Sequence, residues 1–285
     1  MLHCCEGYEL FLSGNYHSLW SNQKICLVVH EGSLKRIHED WSVSTLLAVD
    51  PWAKMAYVDV DGVVYFTNNI IIGYIESGIS YPFPEPNQQF KKRMIGGQLL
   101  EYFNARLYAA QGANIFFSDS FWFTRMDVAS RTNNGVPIGG NWIAMPDWVS
   151  MMKAVSDGMY VGSGKAVYFL GGLDPFVFSR TQVTGSAPKP GSAITIEGED
   201  VGKGFSGRVV VWSSEEGVFM GFPGGMVKEL TEGNYSLEEG IDDGAALFRE
   251  DGFSQYLYNW RFASGYGGAE AEIRIPPFSV EGQLI

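Results

Sequence analysis

The sequence predicts an all-β fold, and three observations support that prediction. The chain of 285 residues contains 35 glycines, which turns use freely and long helices tolerate poorly. Hydrophobic residues make up 46% of the chain and charged residues only 18%, so the chain can bury a core. The third observation is a repeated pattern in which two β-branched or aromatic runs flank a polar turn with glycine.

The repeated pattern is that of a β-hairpin. Its turn glycines are Gly32, Gly62, Gly112, Gly164, Gly217 and Gly252. The intervals between them scatter around the roughly 40–50 residues of one propeller blade. With weaker flanking strands, the six hairpins predict a β-propeller of about six blades (five to seven), each a four-stranded sheet.

The flanking strands are predicted at residues 180–183, 193–197 and 244–248. Residues 8–12 form a further predicted strand without a local partner, and we expect it to close the ring by pairing into the last blade. Closure is favourable because it leaves only short, protected sheet edges. We expect residues 1–260 to form a single propeller domain. Residues 261–285 would form a C-terminal extension that packs on the ring or on a partner.

One segment, residues 142–154, departs from the hairpin pattern. Its apolar residues Ile143, Val149 and Met152 have helix-like spacing, and Pro146 suits a first helical turn. The segment therefore predicts either a short helix or an irregular loop between blades.

Composition limits the classes of partner. The net charge is -12 and the isoelectric point near 4.8, which argues against binding nucleic acid by phosphate neutralisation. No apolar run reaches the roughly 18 residues of a membrane span. The N-terminal sequence lacks the features of a signal peptide, so we expect synthesis and folding in a cytoplasm. Cys4, Cys5 and Cys26 give neither a disulfide framework nor a metal-binding spacing, and no cofactor is predicted.

Two polar segments invite a chemical interpretation that their surroundings do not favour. Ser118 and Asp119 follow a strand, where such side chains bond to nearby backbone, and no histidine lies near them in sequence. Asp59 and Asp61 precede Gly62 in a hairpin turn and lack the further ligands of a calcium loop. We therefore predict a non-catalytic protein. A propeller glycoside hydrolase stays as an alternative that would require two carboxylates in a central cleft.

Four segments resemble the β-propeller structural proteins of tailed-bacteriophage virions. They are YHSLWSNQKICLVVHEGSLKRI, NARLYAAQGANIFFSDSFWFTRMD, VVVWSSEEGVFMGFPGGMVKELT and GAALFREDGFSQYL, and the resemblance extends over most of residues 15–260. It implies a structural component of the tail, tail tip or nozzle, made in the bacterial cytoplasm and incorporated into the virion. It also implies several copies per particle and contacts with other tail proteins.

The candidate contact surfaces are aromatic and acidic. The aromatic candidates are Phe121, Trp122, Phe123, Trp142 and Trp148, and the acidic ones are Glu238, Glu239, Asp242 and Asp243. Core packing between blades would explain aromatic residues that are buried, and a solvated loop would explain the acidic run. An exposed, flat apolar patch would favour assembly with other proteins. Exposed aromatic residues in a polar cleft would favour recognition of a host-surface glycan.

Overall fold

The structure is a computed structural model that describes residues 16–22, 24–85, 91–131, 137–201, 207–231, 241–250, 254–261 and 273–274. Within these ranges the chain forms 26 strands, a four-residue helix α1 (Gly198–Val201) and a 3-10 turn at Pro223–Gly225. The strand pairs are antiparallel. The predicted all-β fold is confirmed.

Five four-stranded sheets follow one another along the chain, and in each the strands pair in sequence order. Blades 1 and 2 consist of β1 (Tyr16–Ser21), β2 (Cys26–His30), β3 (Ser33–Ile37), β4 (Val43–Ala48), β5 (Ala56–Val60), β6 (Val63–Thr67), β7 (Ile72–Glu76) and β8 (Ile79–Pro82). Blade 3 consists of β10 (Leu99–Phe103), β11 (Arg106–Gln111), β12 (Asn114–Phe117) and β15 (Trp142–Ala144). Blades 4 and 5 consist of β16 (Val149–Val155), β17 (Gly158–Ser163), β18 (Ala166–Gly171), β19 (Ser179–Thr184), β20 (Ile194–Glu197), β21 (Arg208–Ser213), β22 (Val218–Gly221) and β23 (Val227–Glu229).

Two three-stranded sheets complete the described architecture. Blade 6 contains β24 (Ile241–Glu250), β25 (Ser254–Arg261) and β26 (Ile273–Arg274). A small accessory sheet contains β9 (Lys91–Arg93), β13 (Asp127–Arg131) and β14 (Pro137–Gly139). Its first strand lies in the connection between blades 2 and 3, and the other two lie in a long insertion within blade 3.

Apolar clusters fill the five described spaces, from the one between blades 1 and 2 to the one between blades 5 and 6. Second strands bury both faces, so consecutive residues along them enter different clusters, as Leu107 and Tyr108 do. The first strands β5, β10, β16, β20 and β24 lie side by side in that order. The sheets are therefore arranged radially, which is the architecture of a β-propeller. Each cluster contains residues of both blades that it joins. Examples are Leu27 with Phe66, Tyr65 with Leu107, Tyr108 with Met152, Tyr160 with Trp212, and Val211 with Tyr256.

The antiparallel order gives the propeller two distinct faces. Turns that join first to second and third to fourth strands lie at one end of each blade, which we name the lower face. Turns that join second to third strands, and the connections between blades, lie at the other end, the upper face. Hydrogen bonds between blades agree with this assignment. On the lower face, Asn104 Nδ2 donates to Leu173 O at 2.9 Å, and Gly224 N donates to Asp157 Oδ2 at 2.9 Å.

The predicted hairpins are confirmed wherever the structure describes them. Gly32, Gly62, Gly112 and Gly164 occupy two-residue turns at positive φ, which glycine adopts without strain. The turn at Gly62 joins the first two strands of blade 2, whereas Gly32, Gly112 and Gly164 join second to third strands. That difference contributes to the uneven spacing of the turn glycines. Gly252 and the predicted closing strand at residues 8–12 lie outside the described residues.

The expectation for residues 142–154 was wrong, because the segment forms β15 and the first part of β16. Strand β16, the innermost strand of blade 4, is buried on both sides. Met152 and Ala154 enter the cluster with blade 3, whereas Met151 and Val155 enter the cluster with blade 5. A register irregularity between Val149 and Met151 shifts the alternation, and this shift produced the helix-like spacing.

The described part of the predicted C-terminal extension includes a strand of blade 6. Ile273 pairs with Tyr258, and Arg274 pairs with Leu257. Residues 262–272 and 275–285 lie outside the described ranges. Packing of the extension on the ring or on a partner stays a prediction for them.

Candidate interaction surface

Six apolar side chains form an exposed surface on the lower face, which we name the lower-face patch. Each is more than half exposed, from 53% for Leu173 to 77% for Phe121. They lie on the loops that join third to fourth strands in three successive blades. The members are Phe121 and Trp122 in blade 3, Leu173, Phe176 and Val177 in blade 4, and Met226 in blade 5.

Hydrogen bonds link the three loops from blade to blade. Phe121 N donates to Ala105 O at 2.8 Å, and the adjacent Asn104 donates to the carbonyl of Leu173 in blade 4. Asp157, in a blade 4 turn, accepts from Gly224 N in the loop that carries Met226. The loops that carry the lower-face patch are therefore held in place relative to one another by hydrogen bonds between blades.

The loop of blade 3 is held rigidly by the polar residues that precede its aromatic pair. Ser118 Oγ accepts from Leu107 N at 3.0 Å and donates to Asp119 O at 3.0 Å. The Asp119 carboxylate accepts from Asn141 Nδ2 at 3.1 Å. Ser118 and Asp119 thus end β12 and anchor the loop, as predicted. The guanidinium of Arg125 lies 3.9 Å from the ring centroid of Trp122 and covers one face of the indole.

Backbone strain at Phe121 orients this residue outward. Its φ is 59°, in the left-handed region that costs a non-glycine residue about 1–2 kcal/mol. Its amide is nevertheless bonded to Ala105, and its side chain is the most exposed of the lower-face patch. Strained residues that the surrounding structure maintains are concentrated at functional sites.

Buried aromatic side chains contact the loops of blades 4 and 5 from the interior of the propeller. Phe176 packs edge-on against Phe117 with ring centroids 5.2 Å apart. Tyr160 Oη lies 2.5 Å from Phe222 O and 2.8 Å from Met226 O, so its hydroxyl fixes the loop of blade 5. The patch therefore lies on supported loops.

The structure divides the predicted aromatic set. Phe121 and Trp122 belong to the lower-face patch. Phe123 is half-buried and packs edge-on against Tyr65 and Tyr102, with ring centroids 5.7 Å apart in each case. Trp142 is partly exposed on outer strand β15, and Trp148 is exposed on the upper face. The five predicted aromatic residues therefore lie at different places on the propeller and do not form one surface.

Four members of the lower-face patch were not predicted from the sequence: Leu173, Phe176, Val177 and Met226. The available signal was the segment Leu173–Asp174–Pro175–Phe176–Val177, where apolar residues occur in a loop that turn chemistry predicts to be polar. The acidic candidates are described less fully. Asp242 and Asp243 lie on β24, and Glu238 and Glu239 lie outside the described residues, so their partner-contact role stays a prediction.

The upper face presents two exposed tryptophans, each near an aspartate that accepts a hydrogen bond from its backbone. Asp50 Oδ1 accepts from Trp52 N at 2.8 Å, and Asp147 Oδ1 accepts from Trp148 N at 2.7 Å. Each turn lies in a connection between blades. Trp52 is 78% exposed and Trp148 is 57% exposed.

A partly buried ion pair lies between the inner strands of blades 3 and 4. Glu101 on β10 is 12% exposed at its side chain and lies 4.0 Å from Lys153 Nζ on β16. Burial raises the pKa of Glu101 above its ordinary value of 4.5, although Lys153 partly opposes the effect. The pair is an acid–base couple rather than the two carboxylates of a retaining or inverting hydrolase.

Glu101 makes the stability of the fold depend on pH in a predictable direction. Because the folded state has the higher pKa, the unfolded chain loses this proton first, and stability falls as pH rises above about 4.5. We expect Glu101→Gln to remove that fall. Urea denaturation of both proteins from about pH 4 to about pH 8 measures the free energy of unfolding. The native chain should exceed the variant in this free energy most at the acidic end. Parallel stability profiles would contradict the assignment.

No group of three or more His, Cys, Asp or Glu side chains is placed to hold a metal ion among the described residues. Likewise, the described residues contain no helix with the length and apolar character that crossing a bilayer requires.

Comparisons with known proteins give information on the fold of this chain. No family model and no curated protein matches the sequence. One similar solved structure is a catalytically inactive virginiamycin B lyase from Staphylococcus aureus with quinupristin, at TM-score 0.52 and 11% identity over 89% of this chain and 80% of that chain. A second is the extracellular domain of a hybrid two-component system from B. thetaiotaomicron, at TM-score 0.52 and 10% identity over 90% of this chain and 32% of that one.

A chain of the mitotic checkpoint complex is similar at TM-score 0.50 and 10% identity, over 98% of this chain and 89% of that one. Identities this low show the fold alone. The fold and the surface together define the class: the chain is a β-propeller with an exposed apolar patch across the lower face of three blades.

Proposed function

We propose that this propeller is a non-catalytic assembly module of a tailed-phage virion, placed in the tail or tail tip. It docks on neighbouring tail proteins through the lower-face patch. The observation that carries the proposal is the patch itself, in which six exposed apolar side chains lie on the lower-face loops of three successive blades. Large exposed apolar surfaces mark interaction sites, because leaving them in water costs free energy that burial against a partner recovers.

The form of the patch supports protein docking over capture of a small ligand. Its loops are fixed by hydrogen bonds and by aromatic contacts beneath them. Phe121 and Trp122 are aromatic anchors of the kind that dominate binding energy at protein interfaces. Anchors that are rigid before binding lose less conformational entropy when the partner arrives.

Two further observations support the remaining parts of the proposal. The resemblance of residues 15–260 to phage tail propellers supports the virion location. In the described residues, Glu101 is a carboxylate of the inner strands that is largely buried, and it lies beside Lys153. This arrangement supports a structural role, because glycosidase chemistry requires two carboxylates across the scissile bond.

Peptide counting by mass spectrometry tests the proposal on purified virions from a phage that encodes this chain. We expect the chain at a fixed low ratio to the tail-tube protein, set by the symmetry of the tail. Its absence from particles, when infected cells contain it, would contradict the proposal.

A second candidate function is recognition of a host-surface glycan by the upper face. The observation that favours it is the pair of exposed tryptophans, Trp52 and Trp148, each oriented by an aspartate. Exposed indole rings stack on sugars through their apolar faces. If the chain is absent from particles, glycan arrays with the native chain and with Trp52→Ala test this function next.

A further inference from the structure

The charges of the lower face are distributed unevenly. Around the lower-face patch itself, described carboxylates and cations are interspersed. The carboxylates are Asp119, Asp157, Asp174, Glu197 and Glu199, and the cations are Arg106, Arg125, Arg208 and Lys228. On the neighbouring blades 1 and 2, five carboxylates lie at or beside the lower-face turns, and we name this surface the acidic half. Its members are Glu39, Asp40, Asp59, Asp61 and Glu76.

The acidic half is not neutralised by its own surroundings in the described structure. None of its carboxylates takes part in the described ion pairs. Lys24 and Arg36 are the cations on the same two blades near these turns, so five negative charges face two positive ones. Asp59 is bonded to Gly62 N at 2.8 Å and Asp40 to Ser42, whereas Glu39, Asp61 and Glu76 are exposed.

We propose that the partner of the lower face is a different protein whose docking surface pairs an apolar centre with lysine or arginine on one side. The apolar centre covers the lower-face patch, and the basic side meets the acidic half. This inference rests on the proposed function and specifies its partner. Charge complementarity of this kind fixes the orientation of a complex and accelerates its formation.

The net charge favours this partner over a second copy of the chain or a nucleic acid. Two copies of this chain each carry a net charge of -12, so a contact between two lower faces would be opposed by electrostatic repulsion. A phosphate backbone would meet the same repulsion. A basic, partly apolar protein surface would bury the exposed apolar side chains and would also place cations beside the carboxylates of the acidic half.

Two synthetic peptides provide the probe. Both have the same apolar core with aromatic residues, and one carries four lysines at one end where the other carries four glutamates. We expect the lysine peptide to bind the native chain at least about tenfold more tightly than the glutamate peptide. We expect that preference to fall when salt rises from about 0.02 M to about 0.5 M.

Charge-neutral variants locate the interaction. Glu39→Gln/Asp61→Asn/Glu76→Gln removes three charges from the acidic half, and asparagine tolerates the positive φ of 53° at Asp61. The matched control Glu31→Gln/Glu215→Gln/Glu216→Gln removes three charges from the upper face. We expect about tenfold weaker lysine-peptide binding for the lower-face triple and unchanged binding for the control.

Several results would overturn the inference. These are equal affinity for the two peptides, no binding of the lysine peptide at about millimolar concentration, or equal effects of the two triple variants. A dimer in sedimentation that Phe121→Asn/Trp122→Ala removes would instead identify a second copy as the occupant. None of these results depends on whether virions contain the chain, so they are separate from the test of the proposed function.

Discussion

Replacing Trp212 by alanine is expected to lower the free energy of unfolding by about 3–5 kcal/mol. Trp212 is fully buried between blades 4 and 5. Its ring stacks on Phe219 at 5.8 Å and lies 5.6 Å from Tyr160. Its indole nitrogen has no hydrogen-bond partner among the described residues, so the expected loss is one of packing and apolar burial. Urea denaturation of the purified variant measures the change.

Trp52→Ala is the matched control, because it removes the same side chain from a site that is 78% exposed. We expect a change within about 0.5 kcal/mol for this control. A Trp212→Ala protein as stable as the control would contradict the placement of Trp212 between the two blades, and with it the radial packing described above.

The second large effect is expected at the lower-face patch. Phe121→Asn/Trp122→Ala removes both aromatic anchors, and asparagine suits the left-handed backbone at residue 121. Loss of two central anchors typically weakens an interface by 2 kcal/mol or more, which is about thirtyfold in affinity. We expect incorporation into virions to fall at least about tenfold when the variant is supplied in place of the native chain.

The control for this variant is Trp52→Ala/Ile70→Asn, which removes two exposed apolar side chains from the upper face. We expect native incorporation for the control and native unfolding curves for both double variants. Equal incorporation of the two variants would show that the lower-face patch is not the docking surface, even if the chain is a virion protein.

The sequence predicted the fold well because hairpin signals are local. A glycine at positive φ between two β-branched or aromatic runs determines a turn within a few residues, as at Gly112 and Gly164. The strands β19, β20 and β24 were also predicted. The error at residues 142–154 arose because β16 is buried on both sides and contains a register irregularity, which together remove the two-residue period.

The candidate surface was predicted less well, since exposure depends on which residues the fold brings together. Phe121 and Phe123 are two positions apart, yet one is exposed and the other packs between blades 2 and 3. Periodicity cannot separate them, because the chain there is a strained turn. Val177 and Met226 lie on the same face but on different blades, a relation that only the radial arrangement of the sheets creates.

The most direct test of the account is electron cryomicroscopy of intact tails from a phage that encodes this chain. We expect a six-bladed propeller whose lower face, with Trp122 and Phe176, is buried against a neighbouring tail protein of different sequence. Density for the propeller with its lower face in solvent, or buried against another copy of itself, would contradict the account. So would tails that contain no such propeller.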